Sequence, residues 1–255
     1  VKVVVPEPTF TLYRQVVQIF GGEVISVPLK QDFTFDVDAI GAAARTSGAS
    51  VLILCSPNNP TGSRITDAEL VLLAKDLDGI VVVDEAYHEF SGGTVVPLLS
   101  ELPNLIVLRT FSKAMAMAGL RVGYMIASPE LTREVQKATL PYNVNFLSAT
   151  VARIACQRFE LLKPHIELII SERDRLLKAV ARIPGLTPVP TSSNFFLVRT
   201  AMDPKVLFER LLEHDVLVRD VSKYPMLSDY TRVSVGRPEE NDIIIKALTE
   251  VMTGA

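Results

Sequence analysis

Six short stretches of almost unbroken apolar character do most to limit what this chain can fold into. They are Val1–Val5, Glu23–Leu29, Val51–Cys55, Ile80–Val83, Leu105–Leu108 and Val122–Ala127. A strand that is apolar on both faces must be covered on both, and alternation with helices then points to a parallel sheet wound with helices on each side. Helices are predicted from Thr9 as cap through Leu12, Val16, Val17 and Phe20 to Gly21-Gly22, over Val37–Arg45, and over Thr66–Leu77. The first strand reads as stopped by Pro6-Glu7-Pro8. In such sheets ligands bind in the crevice beyond the carboxyl ends of the strands. Phe10, Asn59, Asp84 and Lys113 all lie just past such ends. Residues far apart in the chain are therefore expected to meet there.

From about Pro141 the texture changes. Two long helical patterns, Phe146–Phe159 and Leu161–Ile183, precede short strands at Asn194–Arg199, Val216–Arg219 and Thr231–Val235, with helices at Pro204–His214 and Pro238–Thr253. The predicted fold class is α/β, a mostly parallel sheet with helices on both faces in residues 1–143, followed by a smaller C-terminal α+β domain in residues 144–255.

Composition excludes several classes of partner. Hydrophobic residues make up 48% of the chain and charged ones 22%, enough for a packed core and too apolar for disorder. A net charge of −3 without basic runs argues against nucleic acid. No apolar run reaches membrane length and no leader is visible. Cys55 and Cys156 have neither disulfide nor metal spacing and read as reduced thiols in the cytoplasm. His88, His165 and His214 also lack ligand spacing, so no metal is expected. The chain opens at Val1 in the middle of a strand pattern, which reads as a missing N-terminal segment.

The chemistry centres on Thr110-Phe111-Ser112-Lys113-Ala114-Met115-Ala116-Met117-Ala118-Gly119, where Lys113 is the single charge among small and apolar residues. A lysine stripped of hydration has a lowered pKa, and the neutral amine is the form that attacks a carbonyl. A lone Ser-Lys would read as a lysine snorkelling to water. The whole run, continued by Leu120-Arg121-Val122-Gly123-Tyr124, resembles the lysine signature of aminotransferases that use pyridoxal phosphate. P-E-P-T-F-T-L-Y, S-P-N-N-P-T-G, D-E-A-Y-H-E-F, V-L-V-R-D and R-V-S-V-G-R-P-E-E-N extend the resemblance over the chain. Together they are similar to class I/II aminotransferases of fold type I, and within them most similar to the histidinol-phosphate aminotransferases.

The resemblance implies pyridoxal 5'-phosphate as cofactor, a homodimer, and transamination between L-histidinol phosphate and 2-oxoglutarate. An aromatic amino-acid aminotransferase, a decarboxylase of a phosphorylated amino acid and a non-catalytic sensor of the same fold are the alternatives. It implies Lys113 as the cofactor lysine and proton carrier, and Asp84 as the carboxylate facing the pyridine nitrogen. Tyr87 and Asn59 become donors to the ring's 3-oxygen, Phe10 the ring stacked on the cofactor, and Ser112 and Arg121 the phosphate ligands. Arg219 and Arg232 sit in or at the end of apolar strands, where a charge needs an anion. The resemblance makes Arg232 a substrate anchor and puts Asn194 near the substrate. Asn59–Pro60 is expected in cis, since an X–Pro bond is where that isomer is cheapest.

Overall fold

The computed structural model describes residues 1–254. Strands β1 (Lys2–Glu7), β2 (Glu23–Pro28), β3 (Val51–Cys55), β4 (Ile80–Asp84), β5 (Leu105–Thr110) and β6 (Gly123–Ala127) form one sheet in the order β2-β1-β3-β4-β5-β6. The first five are parallel, and β6 returns antiparallel along β5 as an edge. Helices α1 (Leu12–Ile19), α2 (Val37–Ser47) and α3 (Asp67–Asp76) make the crossovers, and α4 (Pro129–Gln136) follows β6. Local chemistry sets their ends. Asp36 caps α2 through the Ala39 amide and Gly48 closes it in the left-handed conformation. Thr66 and Glu69 form a reciprocal capping box on α3.

One face of the sheet is the main core: Val4, Leu54, Val81, Val83, Leu105 and Val107 have no exposed surface. The other face is covered less completely, with Ile53 and Val82 only half-buried. Right-handed crossovers put α1 on the face opposite α2 and α3, and α1 buries none of its residues fully.

The remainder contains α5 (Phe146–Gln157), α6 (Lys163–Val180), β7 (Leu186–Pro188), β8 (Phe195–Thr200), α7 (Pro204–Glu213), β9 (Arg219–Asp220), β10 (Tyr230–Ser234) and α8 (Pro238–Thr253). Its four strands form an antiparallel sheet in the order β7-β8-β10-β9. The halves share packing. Tyr87, Phe90 and Ala114 join the cluster built by Ile166, Phe195 and Val233. Leu197, Val221 and Leu227 join the cluster of the large sheet.

Several local expectations are corrected. Pro6 does not stop β1: it continues the strand beside Val27, beyond the ladder with β3, which ends at Val4. Thr9 does not cap α1, because its hydroxyl donates to the Asn58 side chain at 2.6 Å, and the helix starts after Thr11 without a side-chain cap. The strand expected at Val216–Arg219 shrinks to Arg219–Asp220, while α4 and β7 arise where no strong periodicity marked them. Asn59–Pro60 is cis, as are Glu7–Pro8 and Ser56–Pro57.

The Asn58–Gly62 turn docks on the segment leading into β8. Gly62 has φ +77°, and its carbonyl accepts from the Ser192 amide at 2.8 Å. A β-carbon on Gly62 would lie 2.6 Å from Thr191 Cβ and 3.1 Å from Thr191 Cα. Thr191 cannot give way easily, since its hydroxyl donates to the Phe195 carbonyl at 2.7 Å. Gly62→Ala combines a left-handed penalty with overpacking, and should cost about 2–4 kcal/mol in urea unfolding. A loss under about 0.5 kcal/mol, the level of an ordinary surface change, would show that the turn and the strand can separate freely.

Candidate active site

Strands β1, β3, β4 and β5 are neighbours and point the same way, so the loops after them emerge side by side. Cys55 pairs with Asp84, and Asp84 with Leu108, which aligns the ends of β3, β4 and β5. Phe10, Asn59, Asp84 and Lys113 therefore leave the sheet at one edge, as the strand pattern implied.

Asp84 closes β4, half-buried. Its Oδ1 accepts from the Ala86 amide at 3.0 Å and its Oδ2 from the Tyr13 hydroxyl at 2.6 Å. Burial raises its pKa above the usual carboxylate value, against the Tyr13 hydroxyl, the Ala86 amide and Lys113, which favour the charged form. The sequence reading missed Tyr13. Its one signal was the spacing of Phe10 and Tyr13 within P-T-F-T-L-Y, which puts them one helical turn apart. Tyr13 lies in the first turn of α1 and Phe10 just before the helix, their ring centroids 5.7 Å apart and planes at 85°. Cys55 lies on the same inner side, its thiol pushed up to about 12 by burial and by Asp84.

Lys113 departs from expectation in one respect. It is not sealed in an apolar setting; the residue is exposed. Its amine stands 5.4 Å from the centre of the Tyr87 ring. The surrounding protein removes part of its hydration, and Arg232 and Arg121 add positive potential, so its pKa is lowered although Asp84 opposes this. Neighbouring charge thus contributes to an effect that the sequence assigned to burial alone.

Tyr87 is buried against Phe195, edge to face with centroids 5.1 Å apart. Burial pushes its hydroxyl up to about 12. Phe195 also carries Arg232, whose guanidinium carbon lies 4.8 Å from the Phe195 ring centre. Arg232 Nη1 donates to Asn59 Oδ1 at 2.5 Å, tying β10 to the loop after β3. Its Nε is buried and has no partner among the described residues. Desolvation lowers the pKa of Arg232, Tyr87 raises it, and Arg219 lowers it further. Arg219 and Arg232 are register partners on β9 and β10, so two cations share one face. Two buried carboxylates are engaged elsewhere: Glu85 holds Arg109 at 2.9 Å and Glu172 holds Arg175 at 2.7 Å.

The remaining candidates divide. Phe10 keeps 38% of its surface exposed, an uncovered ring beside Asp84's tyrosine partner. Ser112 precedes Lys113, with its amide on Thr110 Oγ1 at 3.0 Å. Arg121 is exposed, left-handed at φ 56°, and donates to the Ala118 carbonyl at 3.0 Å. Asn194 is the outlier. It sits before β8, its side-chain oxygen 3.5 Å from the Ser193 hydroxyl, and among the described residues it bonds to none of the other candidates. Sequence reading also passed over Arg109, which fastens Glu85 and Thr94 behind the D-E-A-Y turn. A large open groove, about 570 Å³ and lined by Leu186, Arg199 and Asp203, lies away from all of these.

A partly dehydrated amine, a half-buried carboxylate, an uncovered aromatic ring and guanidinium groups without a carboxylate form a donor set that fits pyridoxal phosphate. The group offers an aldehyde, a basic ring nitrogen, a flat face and a phosphate. The orphaned Arg232 Nε leaves room in the site for an additional acceptor.

The family model for aminotransferase class I and II matches residues 1–248. A histidinol-phosphate aminotransferase of Thermoanaerobacter pseudethanolicus is 40% identical over 247 residues, 97% of this chain and 70% of that protein. One from Chlorobaculum parvum is 40% identical over 248 residues, with the same coverage. The crystal structure of a histidinol-phosphate aminotransferase from Sinorhizobium meliloti, in complex with pyridoxal-5'-phosphate, superposes with a TM-score of 0.89 at 28% identity, covering 99% of this chain and 70% of that one. With the lysine, the carboxylate and the strand ends arranged as described, the chain belongs to the class I and II aminotransferases of fold type I, which depend on pyridoxal phosphate.

Proposed function

We propose that this enzyme transfers the amino group of L-histidinol phosphate to 2-oxoglutarate, giving imidazole acetol phosphate and L-glutamate. The carrying observation is the pair Arg219 and Arg232, on one face of adjacent strands, with an orphaned Nε on the inner one. Histidinol phosphate ends in a phosphate ester where amino acids carry a carboxylate, and 2-oxoglutarate brings carboxylates to the same place. A dianion with three acceptor oxygens suits two guanidinium groups, while one fork suffices for a carboxylate. The names of the 40%-identical relatives support this substrate class.

In this reading, residues 1–143 hold the cofactor and residues 144–255 form a smaller domain that brings the arginines. Bound pyridoxal phosphate supplies an electron-withdrawing ring that stabilises negative charge on the substrate's α-carbon. Lys113 Nζ would hold it covalently; once the substrate's amino group displaces it, the freed amine would take the proton from the substrate's α-carbon and deliver it to the cofactor's imine carbon, a task that needs the neutral form its lowered pKa favours. Asp84 would hold a proton on the ring nitrogen. Tyr87 and Asn59 would donate to the ring's 3-oxygen, Phe10 would stack on the ring, and Ser112 and Arg121 would bind the cofactor's phosphate. Asn194 is assigned to the substrate side.

The reading includes a homodimer in the cytoplasm. Leu12, Val16, Ile19 and Phe20 on and just after α1, and Leu140, Tyr142, Phe146 and Leu147 before and on α5, are exposed apolar surface of the kind that marks contact between chains. No described helix is long and apolar enough to cross a membrane.

Steady-state comparison of histidinol phosphate, phenylalanine and glutamate tests the substrate. Charge-assisted contacts contribute about 1.5–3 kcal/mol each, so losing one should cost about tenfold to a hundredfold in kcat/KM. Arg232→Ala should weaken all donors, and Arg219→Ala should weaken histidinol phosphate far more than glutamate. If the parent enzyme prefers phenylalanine, or Arg219→Ala affects all three alike, an aromatic amino-acid aminotransferase takes the place of this assignment.

A further inference from the structure

The constellation assigned to the cofactor leaves Tyr13 without a role. Its hydroxyl reaches Asp84 Oδ2 at 2.6 Å across 71 residues of sequence. That is a short hydroxyl–carboxylate hydrogen bond. Its ring meets Phe10 edge to face, and its amide donates to the Phe10 carbonyl at 3.2 Å. Helix α1 has no side-chain cap and no fully buried residue. Polar tethers therefore hold its first turn: Tyr13 on Asp84, and Arg14 on Glu7 at 2.9 Å with a second bond to Ser26.

We propose that Tyr13 is a positioning residue of this aminotransferase: it orients Asp84 and keeps it ionised, and the same contact sets the place of Phe10. This rests on the reading that Asp84 faces the ring nitrogen. The physical reason is directional. A carboxylate that ends a strand is free to turn about its Cα–Cβ bond, and the Ala86 amide alone restrains one oxygen. The Tyr13 hydroxyl fixes the second oxygen. Each oxygen then retains acceptor capacity in a defined direction. The titratable groups facing Asp84 are Tyr13 from α1, Cys55 from β3, Glu85 and Tyr87 from the turn after β4 and Lys113 from the loop after β5. Cys55 stays a neutral thiol, and Glu85 is committed to Arg109. Tyr13 is thus the one neutral donor of full strength, among the described residues, aimed at the carboxylate from outside its own turn. Removing it leaves burial, which favours the neutral acid, less opposed.

Tyr13→Phe keeps the ring against Phe10 and deletes the hydroxyl. Three measurements are expected to move. In the cofactor-free protein, the pH at which Asp84 protonates, read from its carboxyl infrared band against an Asp84→Asn blank, should rise. The dissociation constant for pyridoxal phosphate, from fluorescence titration of that protein, should rise severalfold. The glutamate half-reaction should slow about tenfold, the range of one hydrogen bond to a charged group. A double-mutant cycle isolates the link: in the Asp84→Asn background, Tyr13→Phe should change neither affinity nor rate appreciably. A Tyr13→Phe enzyme that matches the parent in all three overturns the proposal. So does a Tyr13→Phe loss that is as large in the Asp84→Asn background as in the parent. If Asp84→Asn itself proves harmless, it is the assignment of Asp84 that falls.

Discussion

Lys113→Ala should abolish transamination while leaving the fold in place. The ε-amine both anchors the cofactor and carries the α-proton in the proposed reaction. Losing the proton carrier alone costs at least about 10²–10⁴-fold. Among the described residues no other lysine takes part in this cluster, whose contacts run through Tyr87, Asp84, Arg232 and Arg121. Because the residue is exposed, its removal opens no cavity. Stability should stay within about 0.5 kcal/mol of the parent. Two measurements check this: turnover with glutamate, and borohydride reduction of the holoenzyme followed by peptide mapping. The pyridoxyl label should be found on Lys113. Recovery of the label on another lysine would remove Lys113 from its role.

Asp84→Asn should keep cofactor bound but lower the rate on the order of 100-fold, the usual cost of losing a preorganised electrostatic contact. An amide cannot hold a proton on the ring nitrogen, so the substrate's α-carbon is less readily deprotonated by Lys113. Without cofactor the same change should have the opposite effect on stability. Burial raises the folded-state pKa of Asp84, so ionising it costs more in the folded chain than in the unfolded one. At pH values above that raised pKa the neutral asparagine should therefore give a higher Tm than the parent. The gain should shrink as pH falls through it and vanish below the ordinary carboxylate pKa, where both side chains are neutral. A turnover within a few-fold of the parent, or a Tm advantage that grows toward acid pH, would contradict this account. Function and stability pulling in opposite directions at one carboxylate is the signature of a site residue rather than a helix or turn cap.

Much of this was legible in one dimension. The apolar strand runs named all six strands of the large sheet, because a strand covered on both faces must be apolar along its length. Their alternation with helices made the sheet parallel, and that in turn placed Phe10, Asn59, Asp84 and Lys113 at one edge before any contact was known. The register of Cys55 with Asp84 bears that geometry out. Where local chemistry competed with tertiary demand, reading failed. Thr9 had every property of a cap, yet the fold needed its hydroxyl on Asn58, whose amide in turn donates to the Pro8 carbonyl. Pro6 looked like a stop, but a strand paired there on one side only tolerates proline.

Periodicity and near neighbours along the chain set the order and type of the elements, and with them the edge at which the chemistry sits. Which side chains touch was a matter for the three-dimensional packing. Tyr13 meets Asp84 across 71 residues and Arg232 meets Asn59 across 173. Such contacts follow from strand order and sheet packing, which no local propensity encodes. The same holds for the setting of Lys113. Its surrounding residues are small and apolar, which suggested a dehydrated amine, but the residue stays exposed beside Tyr87, and Arg232 and Arg121 help lower its pKa. The electrostatics of a site is a sum over neighbours in space, and the folded chain alone says who those neighbours are.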